Sequence, residues 1–567
     1  MRVLIIILLT SVIKLSNAQG PAIFWAKNFG GSGGYGSSIK FDAGGNLYSA
    51  GAFSGAADFD PGPGSFTLSA FPGFGSDAFI SKLDGLGNLI WAKKVSGPGD
   101  ELVLSIAIDA IGNVYACGIF SVTTDFDPGP GSFSLTSNGC YDAFILKLDP
   151  SGNFLWAKSF GSSNHDYAYN LTLGANENLH VCGSFVGTVD FDPGVGTYNL
   201  TGPDDAFILK LDKDGNFIWA KNIGGTVGAS ARALSLDGTG NIFITGPYAG
   251  IVDFDPNAGN YTLTSSGQLD VFVEKLDNSG NFIWAKGMGG VENEDAFSLA
   301  LDQNGNVLTT GYFKGDADFD PGAGTFSLSA STFRSHIYVY KLDNNVNFVW
   351  AKSFVGDGAG GSPKNNMGHS IAVDGSGNVF TTGEFEGNID FDPGASTVIL
   401  SSFDNKDIFI SKLDANGNYV WVGRMGGASN SEVGSNISID SFGNIFATGS
   451  FYGTSDFDPN SPIYNLTGGG SFILKMAPCC AGFEEFNANK NFIRVYPNPN
   501  SGEFSIDVPQ EEKNVRVVLY NLMGQIVFTQ SLNEGINTIQ TKLSKGLYLA
   551  RLQGDTFTSE AAKVIVE

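Results

Sequence analysis

Charged residues, cysteine and histidine are all scarce in this 567-residue chain. Only 16% of the residues are charged, and there are five Cys and four His. Five Cys are too few to form a disulfide framework in a chain of this size. The four His provide no pair at metal-ligand spacing, and the chain has no Gly-x-Ser-x-Gly motif. These absences exclude a disulfide-rich scaffold and leave little support for an enzyme.

Basic residues and long apolar runs are also few. The 32 Lys and Arg are outnumbered by 57 Asp and Glu, and the net charge of −25 argues against a nucleic acid or an anionic membrane surface as a partner. A basic start, an apolar run over residues 3–9 and small residues up to Ala18 predict a secretory signal peptide at residues 1–18. Lys14 interrupts this run too early for a membrane span. We therefore expect an exported chain with no transmembrane segment.

Glycine and phenylalanine, in contrast, are abundant. The chain has 77 Gly and 46 Phe, and 42% of its residues are hydrophobic. This composition excludes disorder over most of the chain and indicates many short strands joined by tight turns. Cys117 and Cys182 each precede a Gly at the same place in successive repeats, and we expect both to be buried small side chains.

Seven copies of one unit occupy most of the chain. All seven Trp lie in one motif at intervals of 63 to 71 residues, and a second motif, Asp-Phe-Asp-Pro, also occurs seven times. The Trp are Trp25, Trp91, Trp156, Trp219, Trp284, Trp350 and Trp421. Such a unit cannot bury its own faces alone, so the copies must stack on one another.

Each unit is predicted to form four strands, which in the second copy cover residues 105–109, 114–120, 143–149 and 154–160. Asp-x-x-Gly-Asn segments join the first strand to the second and the third to the fourth, and these residue types favour hairpin turns. Apolar residues occupy both phases of the alternation, as in a sheet that is packed on both faces. Four-stranded sheets stacked face to face around an axis form a β-propeller.

The two ends of the repeat array predict how it closes. The array begins with an isolated fourth strand at residues 22–29 and ends with a third strand at residues 472–476. If the first strand completes the last unit, no sheet edge is left unpaired. The fold prediction is therefore all-β, with a seven-bladed β-propeller over residues 19–478 closed by the N-terminal strand. An open solenoid and a split into two domains are the alternatives.

The units also resemble a known family, the bacterial propeller repeats called SBBP repeats. The resemblance covers about residues 22–476. It lies in the pattern Asp-Ala-Phe-Ile-x-Lys-Leu-Asp-x-x-Gly-Asn followed by two apolar residues and Trp. It implies a fold and little about activity.

The composition changes after a linker at residues 479–490. Residues 491–567 are predicted to form six or seven short strands with Asn and Gly turns, which indicates a small β-sandwich. The motifs Tyr-Pro-Asn-Pro-x-x-Gly, Tyr-Asn-x-x-Gly-Gln and Gly-x-Tyr closely resemble the type A C-terminal sorting domain of the type IX secretion system of Bacteroidota. The resemblance implies passage across the outer membrane with the secretion machinery as partner, followed by release or attachment to the cell surface.

The Asp-Phe-Asp-Pro loops are the first candidate site. Their paired Asp side chains project to one side and the intervening Phe to the other, so the loops offer carboxylates that Ca²⁺ could use. The alternative is that each Asp caps backbone N–H groups of a long connection. The Asp are Asp58, Asp60, Asp125, Asp127, Asp190, Asp192, Asp253, Asp255, Asp318, Asp320, Asp390, Asp392, Asp456 and Asp458.

The second candidate is a ligand-binding face. In a propeller, the Asp-Phe-Asp-Pro loops and the Gly-rich links between units lie on the same face, and residues that break the repeat there are the places to look for a ligand. These residues are His165, Asp166, Tyr167, Arg334, His336, Asp357, Lys364 and His369.

These observations predict a non-catalytic binding or adhesion module for a glycan or a surface protein, with no catalytic residue assigned and Ca²⁺ as the one candidate cofactor. The alternative is a propeller hydrolase or lyase acting on extracellular polysaccharide. Carboxylates, His or Arg that converge on the channel mouth favour the enzyme, whereas identical channel residues from every unit favour the binder or a structural role.

Overall fold

The computed structural model describes residues 20–29, 31–73, 75–356, 365–428, 431–460 and 463–478 of the repeat region. In the C-terminal region it describes residues 495–496, 502–508, 515–521, 526–533, 535–554 and 562–566. The contacts divide the chain into two compact units, with the boundary between Cys480 and Ala481. Over the described residues both units are all-β, which confirms that part of the fold prediction, and the only helical segments are the 3₁₀ turns Gly31–Gly33 and Ala175–Glu177.

The described part of the first unit consists of seven four-stranded antiparallel sheets that follow one another along the chain, and the N-terminal strand belongs to the last of them. The N-terminal strand is β1 (Ile23–Phe29). Sheet 1 and its loop hairpin contain β2 (Tyr35–Phe41), β3 (Leu47–Phe53), β4 (Ala56–Asp58), β5 (Thr67–Ser69), β6 (Asp77–Leu83) and β7 (Leu89–Val95). Sheet 2 and its hairpin contain β8 (Glu101–Ile108), β9 (Val114–Phe120), β10 (Thr123–Asp125), β11 (Ser134–Thr136), β12 (Asp142–Leu148) and β13 (Phe154–Phe160).

Sheets 3 to 5 repeat this order. Sheet 3 contains β14 (Tyr167–Leu173), β15 (Leu179–Asp190), β16 (Asn199–Leu211) and β17 (Phe217–Gly225). Sheet 4 and its hairpin contain β18 (Gly228–Ala229), β19 (Ala233–Leu236), β20 (Ile242–Ala249), β21 (Ile251–Asp253), β22 (Thr262–Thr264), β23 (Asp270–Leu276) and β24 (Phe282–Gly290). Sheet 5 and its hairpin contain β25 (Asp295–Leu301), β26 (Val307–Phe313), β27 (Asp316–Asp318), β28 (Ser327–Ser329), β29 (His336–Leu342) and β30 (Phe348–Gly356).

Sheets 6 and 7 end the array. Sheet 6 contains β31 (Met367–Val373), β32 (Val379–Asp390), β33 (Ile399–Leu413) and β34 (Tyr419–Met425). Sheet 7 and its hairpin contain β35 (Val433–Ile439), β36 (Ile445–Phe451), β37 (Thr454–Asp456), β38 (Asn465–Thr467) and β39 (Gly470–Met476). The fourth strand of sheet 7 is β1, which pairs antiparallel with β39 from Ile23 opposite Met476 to Phe29 opposite Ser471.

The turns within each sheet form as their residue types predict. In sheet 2, Asp109 Oδ1 accepts the backbone N–H groups of Ile111 and Asn113 at 3.1 and 2.8 Å, and Asn113 Nδ2 donates to Asp109 Oδ2 at 2.7 Å. Gly112 has a φ of 94°, which favours glycine. The turn therefore satisfies its own polar groups and leaves the strands free to pack on both faces.

Each pair of adjacent sheets shares a hydrophobic core. The middle strands β3, β6 and β12 are buried along their whole length, as expected for sheets that are covered on both faces. One cluster of buried side chains joins Phe79 of sheet 1 to Phe446 and Ile473 of sheet 7. Cys117 and Cys182 are buried, as predicted, whereas Cys140 is exposed. Cys479 and Cys480 lie outside the described residues.

Polar contacts link consecutive sheets in the same way around the array. Lys147 Nζ of sheet 2 donates to the carbonyl oxygen of Lys213 in sheet 3 at 3.0 Å, and Lys475 Nζ of sheet 7 donates to the carbonyl oxygen of Gly85 in sheet 1 at 3.0 Å. Near the axis, the backbone N–H of Ile39 in sheet 1 donates to Asn436 Oδ1 of sheet 7 at 3.2 Å. The contacts between sheets 7 and 1 thus resemble those between consecutive sheets.

The second compact unit contains two small antiparallel sheets with one shared core. The strands are β40 (Val495–Tyr496), β41 (Glu503–Val508), β42 (Arg516–Tyr520), β43 (Ile526–Ser531), β44 (Gly535–Gln540), β45 (Gly546–Gln553) and β46 (Ala562–Val566). Strands β40, β41 and β44 form one sheet, and β43, β42, β45 and β46 form the other. Ile506 and Ile539 of the first sheet pack with Leu519 and Leu552 of the second. No helix in the described regions is long and apolar enough to span a membrane.

Candidate functional site

The Asp-Phe-Asp-Pro loops use their carboxylates as backbone caps. In all seven loops, Oδ1 of the first Asp accepts the N–H groups of the second and eighth residues after it, at 2.7 to 3.1 Å. Oδ1 of the second Asp accepts the N–H two residues after it, at 2.8 to 3.0 Å. The intervening Phe is buried in every loop, as predicted. No group of three or more His, Cys, Asp or Glu in the described residues is arranged to hold a metal ion, and calcium binding stays a prediction.

The same loops lie beside the links between sheets. The N–H of Asp125 donates to the carbonyl oxygen of Ser96 at 3.0 Å, and the N–H of Asp456 donates to that of Gly426 at 2.9 Å. The links that follow sheets 3, 4 and 5 each form a short antiparallel strand pair with the Asp-Phe-Asp-Pro loop of the next sheet. The loops and the links therefore lie on one face of the repeat unit, here called the loop face.

A channel runs between the first strands of the seven sheets. A cavity of about 370 Å³ is lined by residues of β2, β8, β14, β19, β25, β31 and β35. Small polar residues repeat around it, and examples are Ser105, Ser298 and Ser370. This part of the channel is nearly uniform from sheet to sheet.

The channel loses this uniformity at its loop-face end. Six of the first strands have a β-bulge there, and β18 and β19 are interrupted at the same place. A bulge points an extra side chain in a new direction, and bulges are frequent next to functional sites. The residues at this position are Ser37, Leu104, Tyr169, Arg232, Phe297, His369 and Ser435. All but the two Ser differ from one another, so the repeat diverges here.

Arg232 is at the centre of one group of contacts at this end. Its guanidinium lies 4.5 Å from the ring centroid of Tyr169, and its Nη2 lies 3.7 Å from Oδ2 of Asp295. Burial raises the pKa of Asp295 to about 6, although the charge of Arg232 opposes the rise. Within the described residues, the buried atoms Arg232 Nε and Asp295 Oδ1 have no hydrogen-bond partner. One buried donor and one buried acceptor are thus left unpaired among the described residues.

A second group of contacts continues around the channel from Phe297. The ring centroid of Phe297 lies 5.3 Å from that of His369 and 5.9 Å from that of Tyr312. His369 Nε2 is 4.0 Å from Oε1 of Glu384, which also accepts a hydrogen bond from Lys406 Nζ at 2.6 Å. Desolvation lowers the pKa of His369, and the charge of Glu384 only partly opposes this. At neutral pH the imidazole is therefore uncharged.

We call these residues, together with Tyr167, the mouth cluster. Tyr167 lies parallel to Tyr169, with ring centroids 5.4 Å apart. The cluster comprises Tyr167, Tyr169, Arg232, Asp295, Phe297, Tyr312, His369, Glu384 and Lys406. It combines aromatic rings with both signs of charge, and its residues come from sheets 3 to 6.

The structure places only some of the predicted ligand-face residues at this site. Tyr167 and His369 belong to the mouth cluster, and His165 is exposed next to it. The side chains of Asp166, Arg334 and His336 are buried outside the mouth cluster, and a ligand-binding role for them stays a prediction.

These three side chains are part of the internal packing. Asp166 accepts the N–H groups of Ser162 and Val186 at 2.6 and 3.0 Å. His336 packs edge-on against Phe313, and burial lowers its pKa to about 4. Asp357 and Lys364 lie outside the described residues.

Sequence reasoning missed Tyr169, Arg232, Asp295, Phe297 and Glu384. A signal was present in the sequence, because Tyr169, Arg232 and Phe297 occupy one position of the first strand that differs from unit to unit. Asp295 begins the first strand of its sheet, and Glu384 lies in the strand paired with a first strand.

Comparison with known proteins finds distant relatives of the chain and a family match in its C-terminal region. One relative, the uncharacterized WD repeat-containing protein L264 of Acanthamoeba polyphaga mimivirus, is 22% identical in an alignment of 471 residues that covers 69% of this chain. The chain spans about a third of that relative, 34% of its length.

Two solved structures are also similar. The structure of Sqt1 from Chaetomium thermophilum has a TM-score of 0.37 at 9% identity, covering 81% of this chain and 99% of that one. PorZ, a surface component of the type IX secretion system of Porphyromonas gingivalis, has a TM-score of 0.25 at 11% identity, covering 98% of this chain and 88% of that one.

The C-terminal unit has the more specific match. Residues 494–567 match the family model of the secretion system C-terminal sorting domain. This match agrees with the resemblance found in the sequence motifs and supports export through type IX secretion. The C-terminal part of the chain, residues 494–567, therefore is a secretion system C-terminal sorting domain.

Proposed function

We propose that residues 19–478 form a seven-bladed β-propeller that the sorting domain carries across the outer membrane, after removal of a signal peptide at residues 1–18. The pairing of β1 with β39 and the core shared by sheets 7 and 1 support closure of the ring. The exported propeller is then released or held at the cell surface. Deleting residues 491–567 should retain the protein in the periplasm, and fusing these residues to a periplasmic reporter should export the reporter.

We propose that the mouth cluster binds a glycan, so that the protein is an extracellular binding or adhesion module. The observation that carries this proposal is the position of Arg232 Nε and Asp295 Oδ1, which have no hydrogen-bond partner among the described residues, next to the ring of Tyr169. Sugars present apolar C–H faces, which stack on aromatic rings, and hydroxyl groups, which pair with a buried donor and acceptor. Buried polar groups of this kind give specificity because a ligand lacking the hydroxyl leaves them unpaired.

The proposal is tested by retention on immobilised cellulose, xylan, mannan and chitin. The purified chain should be retained on at least one of them, and Arg232→Ala should weaken retention about 10- to 100-fold, as expected from the loss of about 1.5–3 kcal/mol for a hydrogen bond to a charged group. Lys213→Ala is the control, because Lys213 is exposed and its side chain pairs only with Asp214. If no polysaccharide retains the chain, the glycan proposal fails and a surface protein becomes the better candidate ligand.

The alternative function, hydrolysis or elimination on an extracellular polysaccharide, is favoured by one observation. Arg232, Asp295 and His369 converge on the channel mouth, and Asp295, with a pKa of about 6, is suited to proton transfer near neutral pH. An enzyme would release new reducing ends or unsaturated products from the polysaccharide that it binds, and Asp295→Asn would abolish this release. A pure binder would retain the polysaccharide unchanged.

A further inference from the structure

A buried carboxylate repeats at one position of the third strand in five of the seven sheets. In each of these sheets it lies opposite an aromatic residue of the second strand, and its side chain is buried. The residues are Asp77, Asp142, Asp205, Asp270 and Asp407, in sheets 1, 2, 3, 4 and 6. A buried carboxylate is costly unless a donor or a positive charge pairs with it. The partner of each carboxylate is therefore informative.

In four of these sheets, a side-chain nitrogen lies next to Oδ2 of the carboxylate. The distances are 3.1 Å from Lys94 Nζ to Asp77, 3.2 Å from Asn138 Nδ2 to Asp142, 3.2 Å from Asn222 Nδ2 to Asp205 and 3.7 Å from Arg424 Nε to Asp407. Lys94, Asn222 and Arg424 occupy the same position of the fourth strand, opposite a Phe of the third. The fold thus provides its own partner for these carboxylates.

Sheet 4 lacks this partner. The position of the fourth strand opposite Phe272 is occupied by Gly287. Oδ2 of Asp270 accepts the N–H of Ser266 at 3.0 Å, whereas Oδ1 has no hydrogen-bond partner among the described residues. Burial raises the pKa of Asp270 to about 6, so the carboxylate is largely ionised at pH 7.5. In the part of the chain that the structure describes, no side-chain nitrogen pairs with it.

A cavity occupies the place of the missing side chain. It has a volume of about 250 Å³ and is lined by Asp270, Gly287 and Tyr248 of sheet 4 and by residues of the next Asp-Phe-Asp-Pro loop. A Cβ atom on Gly287 would lie 2.4 Å from the hydroxyl oxygen of Tyr248, so this hydroxyl fills part of the vacated space. At the position of Tyr248, the other sheets have Phe53, Phe120, Phe185, Phe313, Phe385 and Phe451. Sheet 4 therefore combines a hydroxyl, a carboxylate and open volume.

The side chains of the other sheets indicate which ligand group fits this cavity. Besides its carboxylate, Lys94 Nζ donates to the carbonyl oxygen of Ser69 at 2.8 Å, and Arg424 Nη1 donates to that of Ser401. Thr264 occupies the equivalent position in sheet 4 and lines the cavity. A positively charged nitrogen between this carbonyl and the buried carboxylate would repeat the contacts that Lys94 and Arg424 make.

The rest of the lining suits a cation with an apolar stem. The lining contains three Asp and one Lys, because Asp318 and Asp320 of the next loop and Lys286 join the buried carboxylate. The surplus of negative charge favours a cation over an anion. Leu263 and Met288 add apolar surface to the same lining, and such surface packs well against the methylene groups of a long charged side chain.

We infer that this cavity binds an organic cation that carries an ammonium or guanidinium group on a flexible alkyl chain. The charged group pairs with Asp270 and the carbonyl oxygen of Thr264, and the alkyl chain packs against Leu263 and Met288. A free diamine and a Lys or Arg side chain of another protein both present this chemistry. The cavity shares no lining residue with the mouth cluster, so this second site does not depend on the proposed glycan binding.

Calorimetric titration of the purified chain at pH 7.5 tests the inference. The probes are 1,5-diaminopentane, Nα-acetyl-lysine methylamide and Nα-acetyl-arginine methylamide, with pentane-1,5-diol as the uncharged control. We expect at least one cation to bind about tenfold or more tightly than the diol, and Asp270→Asn to remove this advantage because the amide keeps the shape of the carboxylate without its charge. Asp142→Asn is the matched control, since Asn138 already pairs with that carboxylate.

A second variant fills the cavity and keeps the carboxylate. Tyr248→Phe combined with Gly287→Asn recreates the residues of sheet 3, where Phe185 and Asn222 accompany the buried Asp. This double variant should fold with a thermal midpoint no lower than that of the wild type, because Asn222 shows that the fold accepts the side chain. It should no longer bind the cation.

The outcomes also distinguish the source of the ligand. Tighter binding of the diamine than of the two amino-acid probes indicates a free diamine, and the reverse indicates a protein side chain; both results support the inference. Failure of every cation to bind overturns it, as does undiminished binding in Asp270→Asn or in the double variant. Each of these negative results leaves the proposed glycan binding at the mouth cluster unaffected.

Discussion

At the scale of single residues, the mouth cluster differs from the turns and loops because some of its buried polar atoms are not used internally. The Asp residues that begin the turns and the first Asp of each loop accept at least two hydrogen bonds, and Asp109 is an example. Asp295 Oδ1 and Arg232 Nε are equally buried from solvent but have no partner within the described residues. Leaving such groups unpaired costs about 1–3 kcal/mol each, which a ligand can recover on binding.

Asp295 should make saccharide binding dependent on pH. Its pKa of about 6 means that the carboxylate is ionised, and accepts a hydroxyl proton most strongly, above pH 6. We expect the affinity for the retained polysaccharide to decrease between pH 7.5 and pH 5, and the Asp295→Asn variant to bind weakly with no such dependence. Titration calorimetry across this range measures the effect, and an affinity of wild type that does not change with pH would contradict the role of Asp295.

At the scale of elements, the Asp-Phe-Asp-Pro loop is stabilised by its own carboxylates. Asp125 Oδ1 accepts the N–H groups of Asp127 and Phe133 at 3.1 and 2.8 Å. We expect Asp125→Ala to lower the free energy of unfolding by about 1–3 kcal/mol, because two backbone donors lose a charged acceptor. Asp214→Ala, at an exposed turn, should cost much less.

The same variants test whether bound Ca²⁺ stabilises the Asp-Phe-Asp-Pro loops. Thermal unfolding is measured with Ca²⁺ and with excess chelator. If the Asp side chains only cap the backbone, Asp125→Ala should lower the thermal midpoint by the same amount under both conditions. Ca²⁺ should then have no effect on the midpoint of the wild type. An increase of several degrees in the wild-type midpoint with Ca²⁺, absent in the variant, would make these loops metal sites.

Buried acids at the links between sheets give a second prediction at this scale. Glu294 Oε2 accepts the N–H of Gly290 at 2.8 Å, and burial, together with the charge of Asp270, raises the pKa of Glu294 from 4.5 to about 8. The folded state therefore holds a proton that the unfolded state releases, so the stabilising effect is complete below pH 4.5 and is lost as the pH rises through 8. The thermal midpoint should decrease from pH 6 to pH 9.

The neutral variant Glu294→Gln tests this directly. The thermal midpoint of this variant should decrease less from pH 6 to pH 9 than that of the wild type. At pH 9 the variant should be more stable, because it has no charge to bury. Asp214→Asn, at an exposed side chain, is the control. Equal pH dependence in Glu294→Gln and wild type would contradict the assignment.

The elements were also the scale at which the sequence was most informative. The strand predicted at residues 154–160 is observed as Phe154–Phe160, because hairpin turns and two-sided burial fix both ends of such strands. The mouth cluster was largely missed, since its residues are far apart in the sequence and meet only through the ring of first strands. Arg334 and His336, in contrast, break the repeat in the sequence but do not belong to the mouth cluster. Both side chains are buried.

At the scale of the whole molecule, the N-terminal strand should carry a large part of the stability. Phe29 is buried, with its ring centroid 5.6 Å from those of Phe59 and Phe79 in sheet 1. We expect Phe29→Ala to cost about 3–5 kcal/mol. Phe24→Ala, on the same strand but 56% exposed, should change stability by less than about 0.5 kcal/mol. Equal and small effects in chemical denaturation would contradict closure by β1.

The central claim is that ligand binds at the channel mouth on the loop face. The most direct test is hydrogen exchange of the purified chain with and without the polysaccharide that retains it. We predict protection at residues 165–169 and at the starts of β19, β25 and β31. Protection confined to the hairpin turns of the opposite face, such as residues 109–113, or no protection in the repeat region, would contradict the account.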